Sequence, residues 1–247
     1  MVLDWGEVLG WILGGDFAGL PGLPVLVAQH LAYSFLPTAA AVAIALPLGL
    51  WVGHTGRGGT FAIQVSNAGR AIPSLGIIVL AFIGLGFGFA PVYVTLVLMA
   101  IPPILTNTYV GVREVDPDVR DSAEGLGLTG LQVLWKVEVP LALPVIMAGI
   151  RTSAVQVVAT ATLAAYVGLG GLGRPIFNGL AQNVQANPIA RAQVVVAVVA
   201  VALLAVATEL GLGWLERLVV PRPLTEPDRP PRREPAMEDS PARTSSP

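Results

Sequence analysis

The sequence predicts an all-α polytopic membrane protein with five transmembrane helices and a cytoplasmic helix-turn-helix insert. Three observations carry that expectation. The 247 residues are 54% hydrophobic and only 12% charged, with a mean hydropathy of +0.71; a typical soluble domain carries about 25% charged residues. Apolar runs near the ~20-residue length that crosses a bilayer recur along the chain. A polar, charged stretch over 121–140, DSAEGLGLTGLQVLWKVEVP, interrupts them.

Residues 1–29 set Asp4, Glu7 and Asp16 among leucines and tryptophans. Trp5 and Trp11 suit a membrane interface, so this part reads as an external interfacial segment. A transmembrane domain over 30–215 follows, with spans expected at 31–53, 72–89, 91–111, 143–167 and 192–212. Basic residues orient them. No Lys or Arg precedes Arg57, and Arg57, Arg70, Arg113, Arg120, Lys136 and Arg217 fall on one side, leaving Arg174 and Arg191 on the other. The amino terminus is therefore expected outside a cell membrane, and the 112–140 insert and the carboxyl terminus inside. Residues 221–247 hold eight prolines and ten charges, too little apolar surface to offset ordering, so a disordered cytoplasmic tail is expected. Gly49 with Gly53, and Gly84 with Gly88, permit close helix contact, within one subunit or between two.

Within the insert, Asp116 then Pro117 reads as a helix start, an acceptor at the N-cap and proline in the first turn. Val119, Ala123 and Leu126 fall on one face. Gly127 supplies a left-handed stop. Thr129 and Gln132 have capping-box spacing. A second short helix is expected to about Glu138, closed by Pro140.

These residues resemble the coupling motif of ATP-binding-cassette importer permeases: Glu-Ala-Ala, three residues, Gly, nine residues, Ile, one residue, Leu-Pro. Here it stands as Asp121-Ser122-Ala123, Gly127, Val137, then Val139-Pro140, with every spacing kept. The departures are Asp for Glu, Ser for Ala, and Val for both Ile and Leu. The flanks REVDPDVRDSAEGLG and PLALPVIMAGIRTS, with AIPSLGIIVLAF and GLGGLG, are similar to permeases for glycine betaine, carnitine or choline. Methionine permeases share the five-span plan. The resemblance implies a separate ATPase subunit that receives the 116–140 helices. It also implies an extracytoplasmic substrate-binding protein and a second permease subunit, identical or paralogous. ATP is expected on the partner, with no cofactor and no catalytic residue in this chain.

Several signals are discounted. Two G-x-G-x-x-G matches, at 125–130 and 168–173, lack the strand that gives the pattern meaning, and the single lysine, Lys136, is not in a P-loop. The chain has no cysteine, and its two histidines are far apart in sequence, so no metal site is expected; a net charge of −2 points to no nucleic-acid partner. Asn107, Ser153, Gln156 and Thr160 are candidates for lining a translocation path, or for hydrogen bonds between helices. Arg151 and Glu209, at similar depth, are candidates for an intramembrane ion pair. Spans three to five show no clustered aromatics of the kind that hold a quaternary ammonium. Two readings compete with the osmoprotectant permease: a methionine or other amino-acid permease, and a self-sufficient secondary transporter or channel gated by the insert.

Overall fold

The computed structural model describes residues 5–71 and 73–220, and within them almost everything is helix. The expected tail over 221–247 lies outside the described residues. The helices are α1 (Trp5–Ile12), α2 (Leu23–Thr55), α3 (Gly59–Ala71), α4 (Ser74–Leu85), α5 (Phe89–Arg113), α6 (Pro117–Gly125), α7 (Gly130–Val133), α8 (Val139–Thr160), α9 (Gly173–Ala181) and α10 (Pro188–Val219). A π turn, Leu134–Glu138, joins α7 to α8, and a 3-10 turn, Ala161–Val167, ends α8.

Among the described residues four continuous helical stretches are long and apolar enough to cross a membrane: Leu23–Thr55, Phe89–Arg113, Gly130–Val167 and Pro188–Val219. The second expected span is different. Helices α3 and α4 meet at a 90° bend, and α4 has only 12 residues, about 18 Å of helix against a ~30 Å hydrocarbon core. Pro73 stands at the N-cap of α4. It has no N–H to continue α3 and disfavours helical backbone in the residue before it. Counting the bent pair as one span gives five.

Two expectations are corrected. Helix α2 starts at Leu23, not near 31, because Gly22 caps it and a proline sits in its first turn. Trp11, expected at an interface, is fully buried: it stacks on Phe17 and donates Nε1–H to the Pro21 carbonyl at 2.9 Å. Trp5 remains exposed.

The core is a three-helix sandwich of α2, α5 and α8. Ala41, Ala45, Leu96, Ala100, Ile104 and Val157 are buried in its middle, and Leu50, Val112, Ala142 and Ile146 at the end near α6. Glycines set the spacing. A Cβ on Gly49 would lie 2.6 Å from the Thr108 Cβ, and one on Gly53 2.7 Å from the Val112 Cβ. Between α5 and α8, a Cβ on Gly149 would lie 2.6 Å from the Asn107 Cβ and 2.9 Å from the Pro103 carbonyl oxygen. Gly49 and Gly53 thus serve contact within the subunit, whereas Gly84 has nothing within 4 Å. Gly149→Leu is expected to cost about 1–3 kcal/mol by overpacking. Gly84→Ala should hold or raise stability. Thermal unfolding of the purified protein in detergent checks both; equal melting of Gly149→Leu and wild type would contradict so close an approach of α5 and α8.

Candidate coupling site

The 112–140 segment leaves α5 and re-enters α8. Helix α6 starts as the sequence requires: Asp116 Oδ1 accepts from the Asp118 amide at 2.9 Å, and Pro117 fills the first turn. The Ser122 hydroxyl donates to the Asp118 carbonyl at 2.6 Å. Asp121 and Ser122 are exposed, while Ala123 is buried against the protein.

The spacing between Ala123 and Gly127 has a physical meaning. Gly127 has φ +88°. Its amide donates to the Glu124 carbonyl at 2.8 Å, and the Leu128 amide donates to the Ala123 carbonyl at 3.2 Å. That pair of bonds is a Schellman motif, which needs a residue in the left-handed region one position beyond the cap. Motif alanine and motif glycine are two ends of one helix stop. The next helix opens with the Thr129 amide donating to Gln132 Oε1 at 2.8 Å.

Pro140 does not close a second short helix as expected. Helix α7, the π turn and α8 run on without a break, and Pro140 lies in the first turn of α8. The Val139 amide donates to the Leu134 carbonyl, five residues back. This widened turn gives the proline ring room over the preceding turn, where an α-helix would clash. Val137 lies inside the π turn and Val139 at its exit, both half-buried.

The segment is locked to the bundle through Glu138, a residue that the motif pattern leaves unspecified. Its side chain is 2% exposed. One oxygen accepts from His54 Nδ1 at 2.7 Å, and the other lies 3.1 Å from Arg120 Nε. Arg120 also donates to the Val112 carbonyl. One carboxylate therefore ties together α6, the end of α2, the end of α5 and the start of α8. The sequence offered one weak hint of it, an acid flanked by Val137 and Val139. His54 lies 84 residues away, so nothing local marks the pairing.

The outer surface of the segment mixes exposed charged and polar residues, Asp118, Asp121, Glu124, Gln132 and Lys136, with three large apolar ones. Leu126, Leu131 and Trp135 are 83%, 70% and 60% exposed. Of the three residues expected on one face of α6, Ala123 is buried, whereas Val119 and Leu126 are 42% and 83% exposed. Large apolar side chains left exposed on a segment fastened from behind are unusual for a surface that faces only water.

The candidate path residues sit on two helices, Asn107 on α5 and Ser153, Gln156 and Thr160 on α8. Ser153 is buried and donates to the Ala100 carbonyl at 2.9 Å, a bond between α8 and α5. Asn107 Nδ2 donates to the Pro103 carbonyl of its own helix at 2.8 Å. Gln156 and Thr160 are half-buried on α8. Arg151 Nε lies 2.9 Å from Glu209 Oε1, and its terminal nitrogen bonds Glu216 Oε2 at 2.9 Å, so one guanidinium holds α10 by two carboxylates. The GLGGLG segment is a turn pinned to α2: the Gly171 amide donates to Gln29 Oε1 at 2.9 Å, and the Leu172 amide to His30 Nδ1 at 3.3 Å. His30 Nε2–H therefore donates to the Val158 carbonyl at 2.9 Å.

The family model for "binding-protein-dependent transport system inner membrane component" matches residues 45–221. The chain belongs to that family. The carnitine transport permease protein OpuCB of Listeria monocytogenes is 39% identical over 80% of this chain and 88% of its own length. The glycine betaine/carnitine/choline transport system permease protein OpuCB of Bacillus subtilis is 36% identical over 79% of this chain and 88% of its own. In solved structures, a chain of the inward-facing MetNI methionine ABC transporter superposes with a TM-score of 0.68 at 21% identity, covering 81% of this chain and 96% of that one. That identity supports the permease fold and leaves cargo aside. The chain is thus a multi-pass permease subunit of an ATP-binding-cassette importer, and the self-sufficient transporter or channel is set aside.

Proposed function

We propose that this permease imports a quaternary ammonium osmoprotectant, of the class of carnitine, glycine betaine and choline, and that a separate subunit binds and hydrolyses the ATP. The observation that carries the coupling role is the 116–140 segment, anchored at Glu138 and presenting Leu126, Leu131 and Trp135 outward. An ATPase subunit that engages this face moves α8, with which the segment is continuous, and α5, to which residues 114–116 join it. Asp121, Ser122, Ala123, Gly127, Val137, Val139 and Pro140 form the contact and its frame. The relatives' printed names support the cargo class.

In this reading the bent α3–α4 pair is the second of five spans and the segment lies in the cytoplasm, where basic residues are retained. The amino terminus is outside, where an extracytoplasmic binding protein delivers substrate. A second permease, identical or paralogous, completes the pathway, and no cofactor resides in this chain.

Reconstitution in proteoliposomes with the cognate ATPase and binding protein tests the proposal. Glycine betaine, carnitine or choline should stimulate ATP hydrolysis and accumulate inside. Stimulation by methionine alone would replace the cargo, and accumulation without the ATPase would remove the coupling role.

A further inference from the structure

At the far end of α5 from the coupling segment, about 37 Å away along 25 residues of helix, lies a cavity of about 220 Å³ lined by Val79, Phe82, Ile83, Phe87, Tyr166 and Val167. Three of these six are aromatic, and they come from three places in the chain. Phe82 belongs to the last turn of α4. Gly86 and Gly88, both at positive φ, turn the chain back so that Phe87 meets Phe82. The two rings stand edge to face, centroids 4.4 Å apart and planes 89° apart, so they offer two perpendicular walls. Tyr166, on the 3-10 turn that ends α8, adds a third ring and rests on Phe177 of α9, centroids 6.1 Å apart. The sequence could not show this group, since its members come from two different expected spans, 72–89 and 143–167.

The chemistry of the lining selects its ligand. No lining residue carries a charge, a carboxamide or a carboxylate. A primary ammonium entering here would find one side-chain acceptor, the Tyr166 hydroxyl, for its three N–H donors, which is unfavourable. A quaternary ammonium has no N–H to satisfy. Its alkyl groups suit Val79, Ile83 and Val167, and its charge is met by ring faces. We infer that this cavity is a subsite for the trimethylammonium group of the imported substrate, on the face where substrate enters. The inference rests on the cargo class proposed above. Aromatic residues also anchor helices at a membrane interface, but anchoring carries no preference for a charged ligand over its neutral isostere.

Phe87 is 83% exposed and Tyr166 56% exposed, so trimming either leaves the core packed. The test is equilibrium binding of radiolabelled choline to the permease–ATPase complex in nanodiscs without binding protein. Glycine betaine and carnitine should displace it. The neutral isostere 3,3-dimethylbutan-1-ol, with carbon in place of nitrogen, should not. Phe87→Leu and Tyr166→Leu should each weaken binding about two- to fivefold, and Phe87→Trp should keep it. Absent binding in the wild type, equal displacement by the isostere, or unchanged affinity in the leucine variants would overturn the subsite. Failure of the broader reading shows elsewhere: the wild-type complex, with binding protein and ATP, would accumulate no quaternary ammonium in proteoliposomes.

Discussion

Glu138→Ala is expected to lower the stability of the permease by about 3–5 kcal/mol, the range for breaking a buried ion pair from one side. The reason is the asymmetry of burial. The Glu138 side chain is 2% exposed and its carboxylate has two partners. Without it, Arg120, only 15% exposed along its side chain, keeps its charge and loses its counter-ion. His54→Ala should cost less, since that side chain is 25% exposed and its loss leaves the Arg120 pair intact. Replacing both Glu138 and Arg120 by methionine should recover much of the loss, because an apolar pair of similar volume needs no counter-ion. Thermal unfolding in detergent reads all four proteins. A loss under about 1 kcal/mol for Glu138→Ala would mean that water reaches the carboxylate. Coupling is read separately, as ATP hydrolysed per substrate imported. The methionine pair should hydrolyse more ATP per substrate than wild type, because α6 is no longer fastened to α2 and α5.

Gly127→Asp is expected to reduce uptake by at least about tenfold, equivalent to ~1.4 kcal/mol, while the protein still inserts and assembles. At φ +88° a residue with a Cβ pays about 1–2 kcal/mol of backbone strain, somewhat less for aspartate than for most. The new carboxylate also sits at the carbonyl end of α6, where negative charge is unfavourable by a further ~0.3–1 kcal/mol. An added Cβ meets nothing within 4 Å, so the change is one of backbone direction and not of packing. The Schellman bonds from Gly127 and Leu128 set the angle between α6 and α7; opening them turns Leu126 relative to Leu131 and Trp135. Uptake is measured in proteoliposomes and insertion by quantifying the protein in membranes. Wild-type uptake by Gly127→Asp would remove the coupling role from this turn.

Much of the molecule was legible in the chain because its signals are local. The apolar runs, the Asp116–Pro117 start, the Gly127 stop and the Thr129–Gln132 pair each act within a few residues, and the structure carries them with shifts of boundary. Where local rules misled, a neighbour had intervened. Pro140 reads as a helix end, yet the π turn before it lets the helix continue. Trp11 reads as an interface residue, yet Phe17 and the Pro21 carbonyl enclose it.

By itself the sequence determined that this chain is a helical membrane protein and that its 116–140 segment is a capped, glycine-stopped helical unit with permease-motif spacing. Hydropathy and backbone preference are properties of short windows, so they survive without a fold. Only the tertiary structure decided what that unit is fastened to and what stands at the other end of the bundle. The carboxylate of Glu138 finds His54 and Arg120, and Phe82, Phe87 and Tyr166 share one cavity. Such pairings depend on which helices the glycines at 49, 53 and 149 allow to approach, a packing outcome that no window of the chain contains.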